Sequence, residues 1–263
     1  MHPMLNIALR AVRKAGHLIT KNYENPDIIE NNKKIKSNFI TKIDYVEDIL
    51  IEIIHKSYPE HTIITKKNGD LVNNQDIQWI INPLNGRNNF IKRFPHFSIS
   101  IAIRIKGRIS IAVIYDPMRN ELFTAVRGQG AQLNGYRLRG SNARELKGSI
   151  LAIGCPFKRK TNSHDYTYLN LLNKIYNQHA DFRYTGCKAL DLAYVAAGRV
   201  DGYFEYGLNL WDIAAGELLV REAGGIITDF IGGHNYIDSG NIVASNTRIL
   251  KIILYNMNNE FID

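Results

Sequence analysis

Residues 79–90 read WIINPLNGRNNF. Trp79, Ile80 and Ile81 form an apolar run that stops at Asn82, the pattern of a short buried strand. Pro83 and Gly86 follow, and Asn89 and Phe90 close the segment. This frame presents three polar side chains, Asn82, Asn85 and Arg87. A strand that ends in such a frame is a common way to hold functional groups on a rigid support.

Outward from this stretch the chain reads as a mixture of helices and antiparallel strands. Leu5, Ala8, Leu9, Val12, Gly16 and Ile19 recur at helical spacing, with Arg10, Arg13, Lys14 and Lys21 on the other face. This predicts an amphipathic helix packed on a core and ending near Asn25-Pro26. Val46, Ile49, Leu50, Ile53 and Ile54 mark a second helix from about Ile43 to Lys56, stopped by Tyr58-Pro59. Thr62–Thr65 and Trp79–Asn82 read as strands. Residues 97–105 and 109–115 alternate with period two, and Leu122–Val126 returns after Asp116-Pro117, which makes an antiparallel meander. The second half predicts strands at Ser149–Ile153, Asp201–Glu205, Ile226–Phe230 and Asn241–Ala244. Helices are predicted at Tyr166–Tyr176, Cys187–Ala197, Trp211–Glu222 and Thr247–Asn256. Such irregular alternation belongs to α+β or layered α/β folds.

The chain has 263 residues and is 45% hydrophobic, enough for one large domain or two tightly joined halves. No apolar run approaches the roughly 20 residues that span a bilayer, and no signal peptide or membrane attachment is expected. Cys155 and Cys187 lack disulfide-framework or metal-site spacing. Two core cysteines fit a reducing compartment, so the expected location is the cytoplasm. The net charge is +8, but there is no zinc-finger spacing or basic tail, and direct sequence-specific nucleic-acid binding is not expected. His61, His96 and His234 lack metal spacing and are expected to be structural.

Four separated segments combine with these elements. They are Phe39-Ile40-Thr41-Lys42-Ile43-Asp44, Ile64-Thr65-Lys66-Lys67, Asn82-Pro83-Leu84-Asn85-Gly86-Arg87 and Leu210-Trp211-Asp212-Ile213-Ala214-Ala215-Gly216. In this order they resemble the inositol monophosphatase family over nearly the whole chain. The resemblance implies an α/β (α+β) fold of inositol monophosphatase type, an α/β/α/β/α layered sandwich with mixed and antiparallel sheets. It would form one domain over residues 1–263 with a soft division near 145, and a homodimer, as family members commonly do.

The family's chemistry is Mg²⁺-dependent hydrolysis of inositol phosphate. Hard Mg²⁺ ions take oxygen ligands, activate a water and stabilise the leaving oxygen. By resemblance the metal ligands fall at Lys66, Asn82, the Leu84 carbonyl, Asn85 and Asp212. A second family glutamate falls at Lys67, and the threonine that orients the water with Asp44 falls at Arg87. Substrate contacts fall at Gly86, Arg87, Asn88, Arg183 and Glu205. Lys188 stands where the family has a small residue and is expected to be solvated.

Only Asp44 and Asp212 keep the family's acids, and both could instead cap the helices after them. A unit positive charge about 4 Å from Mg²⁺ costs roughly 8 kcal/mol at an effective dielectric near 20, as much as a micromolar site is worth. The metal site and its Mg²⁺ are therefore expected to be lost. Two Glu-to-Lys changes account for four charges, two Asp-to-Asn changes for two and Thr-to-Arg for one, together seven of the net +8.

Three readings of these changes stand. They are drift after catalysis ceased, aided by the A/T-rich codon bias that abundant Ile, Asn and Lys imply; a rebuilt phosphate-type anion site of Lys66, Lys67, Arg87 and the Gly86 amide; and residual phosphatase activity. The stretches at 1–16, 115–140 and 189–205 narrow the resemblance to a bacterial member. That member takes part in ribosomal RNA transcription antitermination with NusA and RNA polymerase. A non-catalytic role of that kind is the first functional expectation, and a weak Mg²⁺-dependent phosphomonoesterase is the alternative.

Overall fold

A computed structural model describes residues 2–24, 32–67, 76–154 and 164–258, with backbone alone at 32–43, 164–167 and 258. The first half contains α1 (Pro3–Glu24), α2 (Asn32–Ser57), β1 (Thr62–Ile64), β2 (Ile77–Asn85) and α3 (Arg87–Ile91). The meander follows as β3 (Ser98–Ile105), β4 (Arg108–Asp116), β5 (Glu121–Val126), β6 (Gly130–Leu133) and β7 (Tyr136–Arg137). The second half contains β8 (Ile150–Ile153), α4 (His164–Tyr176), β9 (Asp181–Arg183), α5 (Lys188–Ala196) and β10 (Gly202–Glu205). It closes with α6 (Leu210–Glu222), β11 (Ile226–Thr228), α7 (Tyr236–Ser239), β12 (Ile242–Ser245) and α8 (Thr247–Asn258).

The strands form two sheets. The first runs β1 to β7 in chain order, parallel only between β1 and β2. The second has the order β11-β12-β10-β8-β9, antiparallel on the β11 side and parallel from β10 through β9.

Three hydrophobic cores join five layers. Ala8, Val12, Leu50 and Ile54 of α1 and α2 bury against Trp79, Ile101 and Val113 of the first sheet. The α5–α6 pair fills the centre, where Leu192, Ile213 and Leu218 meet Ile80 and Ile114 on one side and Tyr203 and Ala244 on the other. Tyr168, Leu171, Ile249 and Ile253 of α4 and α8 cover the outer face of the second sheet. The central core draws residues from both sides of position 145. No described helix is long and apolar enough to cross a membrane. The apolar face of α1 lies on the core, and its expected stop at Asn25-Pro26 falls outside the described residues.

Two differences from the sequence reading concern the site. First, β2 does not stop at Asn82 but continues through Pro83 to Asn85. Asn82 pairs with Ser100 and Asn85 with Ser98, so β2 carries one extra residue across this interval. That is a β-bulge, one of the few sheet positions where a proline without an N–H is tolerated. Second, α2 begins at Asn32, so Asp44 lies inside the helix and cannot cap it.

Candidate functional site

One cavity of about 480 Å³ collects the ends of these elements. The bulge in β2 delivers Asn82, Leu84 and Asn85 to it. Gly86 then adopts φ 86°, and a Cβ there would stand 2.9 Å from the His96 carbonyl. Only glycine makes that close left-handed turn without strain, which starts α3 with Arg87 at the rim. The chain after β1 brings Lys66 and Lys67, α2 brings Asp44 and Glu47, and the N-termini of α5 and α6 bring Lys188 and Asp212. The four sequence segments thus meet, although they lie as far apart as residues 44 and 212.

Asp212 is the centre of the arrangement. Its Oδ1 accepts from Asn85 Nδ2 at 3.2 Å and Asn82 Nδ2 at 3.4 Å. Its Oδ2 accepts from Lys188 Nζ and the Asn209 backbone N–H, both at 3.3 Å, and from Asn209 Nδ2 at 3.4 Å. A carboxylate has about four lone-pair positions, so five donors leave none open. The bond from the Asn209 N–H is also half of a capping box, which gives Asp212, at N3 of α6, the capping role the sequence allowed. Asn85 is buried and couples three elements, because its Oδ1 accepts from Ala189 N of α5 at 3.4 Å. Its thiol neighbour Cys187 lies wholly buried, 3.4 Å from Ser98 Oγ, and burial pushes that thiol up to about 12.

The second retained acid is also engaged. Lys67 Nζ lies 2.9 Å from Asp44 Oδ1 and 4.0 Å from Glu47 Oε1. The Asp44 contact raises the Lys67 ammonium above its ordinary value. Lys188 lies 3.7 Å from Glu205 Oε1 as well as 3.3 Å from Asp212.

These pairs correct two expectations. Lys67 is not free to join Lys66 and Arg87 in an anion site, and Lys188 is not simply solvated but lies half-buried between two carboxylates. Three acids (Asp44, Glu47 and Asp212) and four cations (Lys66, Lys67, Arg87 and Lys188) line the cavity, and Glu205 meets Lys188 from outside the lining. With Glu205 counted, the charges of the site balance.

Other expected residues lie elsewhere. Asn88 is exposed on α3, away from the cavity lining. Arg183 sits on β9, donates to the Phe182 carbonyl at 2.9 Å and lies 3.9 Å from Asp181. Glu205 reaches the site only through Lys188. His61 and His96 are structural: His61 stacks on Tyr58 and accepts from Trp79 Nε1 at 3.0 Å, and His96 is buried beside Arg119. His234 is exposed, and Cys155 lies outside the described residues. Among the described residues no three His, Cys, Asp or Glu side chains cluster as a metal site. Glu47 went unnoticed in the sequence because it belongs to no motif segment, although it lies one turn of α2 beyond Asp44.

Residues 1–259 match the inositol monophosphatase family. The chain belongs to this family. Among its relatives, the Nus factor SuhB of Escherichia coli is 64% identical over 265 residues, which cover 100% of this chain and 98% of that protein. The crystal structure of the extragenic suppressor protein suhB from Bartonella henselae superposes with a TM-score of 0.86 at 34% identity, covering 98% of this chain and 100% of that one. The inositol monophosphatase from Anabaena (Nostoc) gives 0.85 at 32% identity, covering 98% and 96%. The layered inositol monophosphatase fold is therefore that of this chain.

Proposed function

We propose that this chain is a Nus-type transcription factor that works through its surface in ribosomal RNA antitermination, with NusA and RNA polymerase as partners, and not as a Mg²⁺-dependent phosphatase. Its 64% identity to a protein named Nus factor SuhB, over the full length of both, supports the role. The saturation of Asp212 by Asn82, Asn85, Lys188 and Asn209 is the observation that carries the non-catalytic half. A protein of this kind acts in the cytoplasm.

The residues present do not fit Mg²⁺. The ion needs oxygen donors with open lone pairs, whereas Asn82 and Asn85 turn their nitrogens toward Asp212. A carboxylate can only accept, so it holds those amides in the orientation least useful to a cation. The cost of a lysine ammonium near the ion, up to about 8 kcal/mol, applies with Lys188 already on the retained acid.

The test has two arms. The purified chain is expected to be retained by NusA or RNA polymerase at low salt, and failure to bind either overturns the transcription role. No inositol 1-phosphate turnover is expected with added Mg²⁺. Turnover that Li⁺ or EDTA abolishes would show a working phosphatase and overturn the non-catalytic half.

A further inference from the structure

Lys67 and Lys188 line the cavity, and each stands between two acids. Lys67 bridges Asp44 and Glu47, and Lys188 bridges Glu205 and Asp212. The second bridge is the more enclosed: the Lys188 side chain is 31% exposed, those of Glu205 and Asp212 only 14% and 9%.

Neither acid of this bridge can easily turn away. Glu205 Oε2 accepts from Tyr203 Oη at 2.6 Å, and its carboxylate lies so close to Gly154 that a Cβ there would collide with it. Asp212 is held by the start of α6 and by the two asparagines. The buried Asp191 adds a third carboxyl group nearby, pushed well up by burial and, after the opposing Thr185 hydrogen bond, by the charge of Glu205. Carboxylates held together in this way require a cation or must take up protons. Lys188 is also the first residue of α5, where the helix dipole disfavours positive charge. Its position is therefore explained by the acids it meets and not by its helix.

We propose that Lys188 is a tethered cation. Its ammonium compensates Glu205 and Asp212 as a bound metal ion otherwise would, so the folded state needs no divalent ion. The inference rests on the metal-free half of the function proposed above. Its test reads stability, so it is decided separately from NusA binding and from turnover.

Thermal unfolding of the full chain, with millimolar Mg²⁺ or with EDTA, decides it. The unsubstituted midpoint is expected to be the same in both. Lys188→Met is expected to lower the midpoint by about 4 °C, with or without Mg²⁺. Lys188→Met combined with Glu205→Gln removes one of the stranded acids and is expected to melt above the single variant; it also serves if the single variant does not fold. The proposal is overturned if Mg²⁺ raises the unsubstituted midpoint or if Lys188→Met melts like the original chain. It is equally overturned by a loss that Glu205→Gln does not reduce.

Discussion

Asn85 ties the central Asp212 to the start of α5. Its amide is the one neutral group of that shape that can donate to Asp212 and accept from the Ala189 N–H at the same time. Changing Asn85 to Asp keeps the shape and reverses half of this chemistry. The contact to Ala189 survives, but a carboxylate would then face Asp212 Oδ1 across 3.2 Å. Loss of the bond and repulsion between buried like charges are expected to cost about 2–4 kcal/mol, read as a fall in the urea midpoint at neutral pH without Mg²⁺. The loss should shrink in acid, where one carboxyl of the pair takes a proton. An Asn85→Asp variant as stable as the original at neutral pH would mean that Asp212 does not depend on the amide. The sequence identified Asn85 and Asp212 as members of one site, but their bond spans 127 positions and has no local signal.

The α5–α6 pair sets the distance between the two sheets. Gly216 of α6 faces Leu192 of α5, and a Cβ added there would collide with Leu192 Cβ and Cδ1. Leu192 is fully buried between the sheets and has no room to withdraw. Two effects compete in Gly216→Ala. Alanine gains about 1 kcal/mol of helix propensity, whereas overpacking a filled core costs up to about 3 kcal/mol. The clash involves a Cβ fixed to the backbone, so it is expected to win by about 2 kcal/mol, measured by urea or thermal unfolding. A more stable variant would show that the helices can separate freely. This packing also fixes the spacing of Lys188 and Asp212, which lie in the first turns of the two helices. Helices α5 and α6 were legible from their periodicity, but their close contact was not. The short elements α3, β6, β7, β9 and α7 were not legible either, because two to five residues carry too little periodicity and are shaped by their neighbours.

For the molecule as a whole, acid stability should be governed by histidines that do not line the cavity. Burial lowers His96 below its ordinary value, helped by Arg119, and burial also lowers His61. In the unfolded chain both take protons near pH 6.5, whereas the folded protein keeps them neutral to lower pH. Their contribution is present above the unfolded value and is lost as pH falls through 6.5 toward the folded value. The unfolding midpoint is therefore expected to decline between about pH 7.5 and 5.5, and His96→Gln is expected to flatten part of that decline. An unchanged slope in the variant would remove His96 from the account. The net charge of +8 acts at this scale too, but little of it gathers in the cavity, where four cations face three lining acids and Glu205 beside Lys188.

Hydrophobic periodicity was enough for the longer helices and the meander, and the resemblance carried by four motif segments implied the layered family fold and singled out the frame of residues 79–90. Those features are written in side-chain type and local spacing, which one sequence contains. The tertiary structure alone decided which opposite charges meet. It placed Lys188 on Glu205 and Asp212, Lys67 on Asp44 and Glu47, and both asparagines on Asp212. Electrostatic and hydrogen-bond energies depend on distances of a few ångströms, and those distances exist only after segments far apart in the chain have packed together.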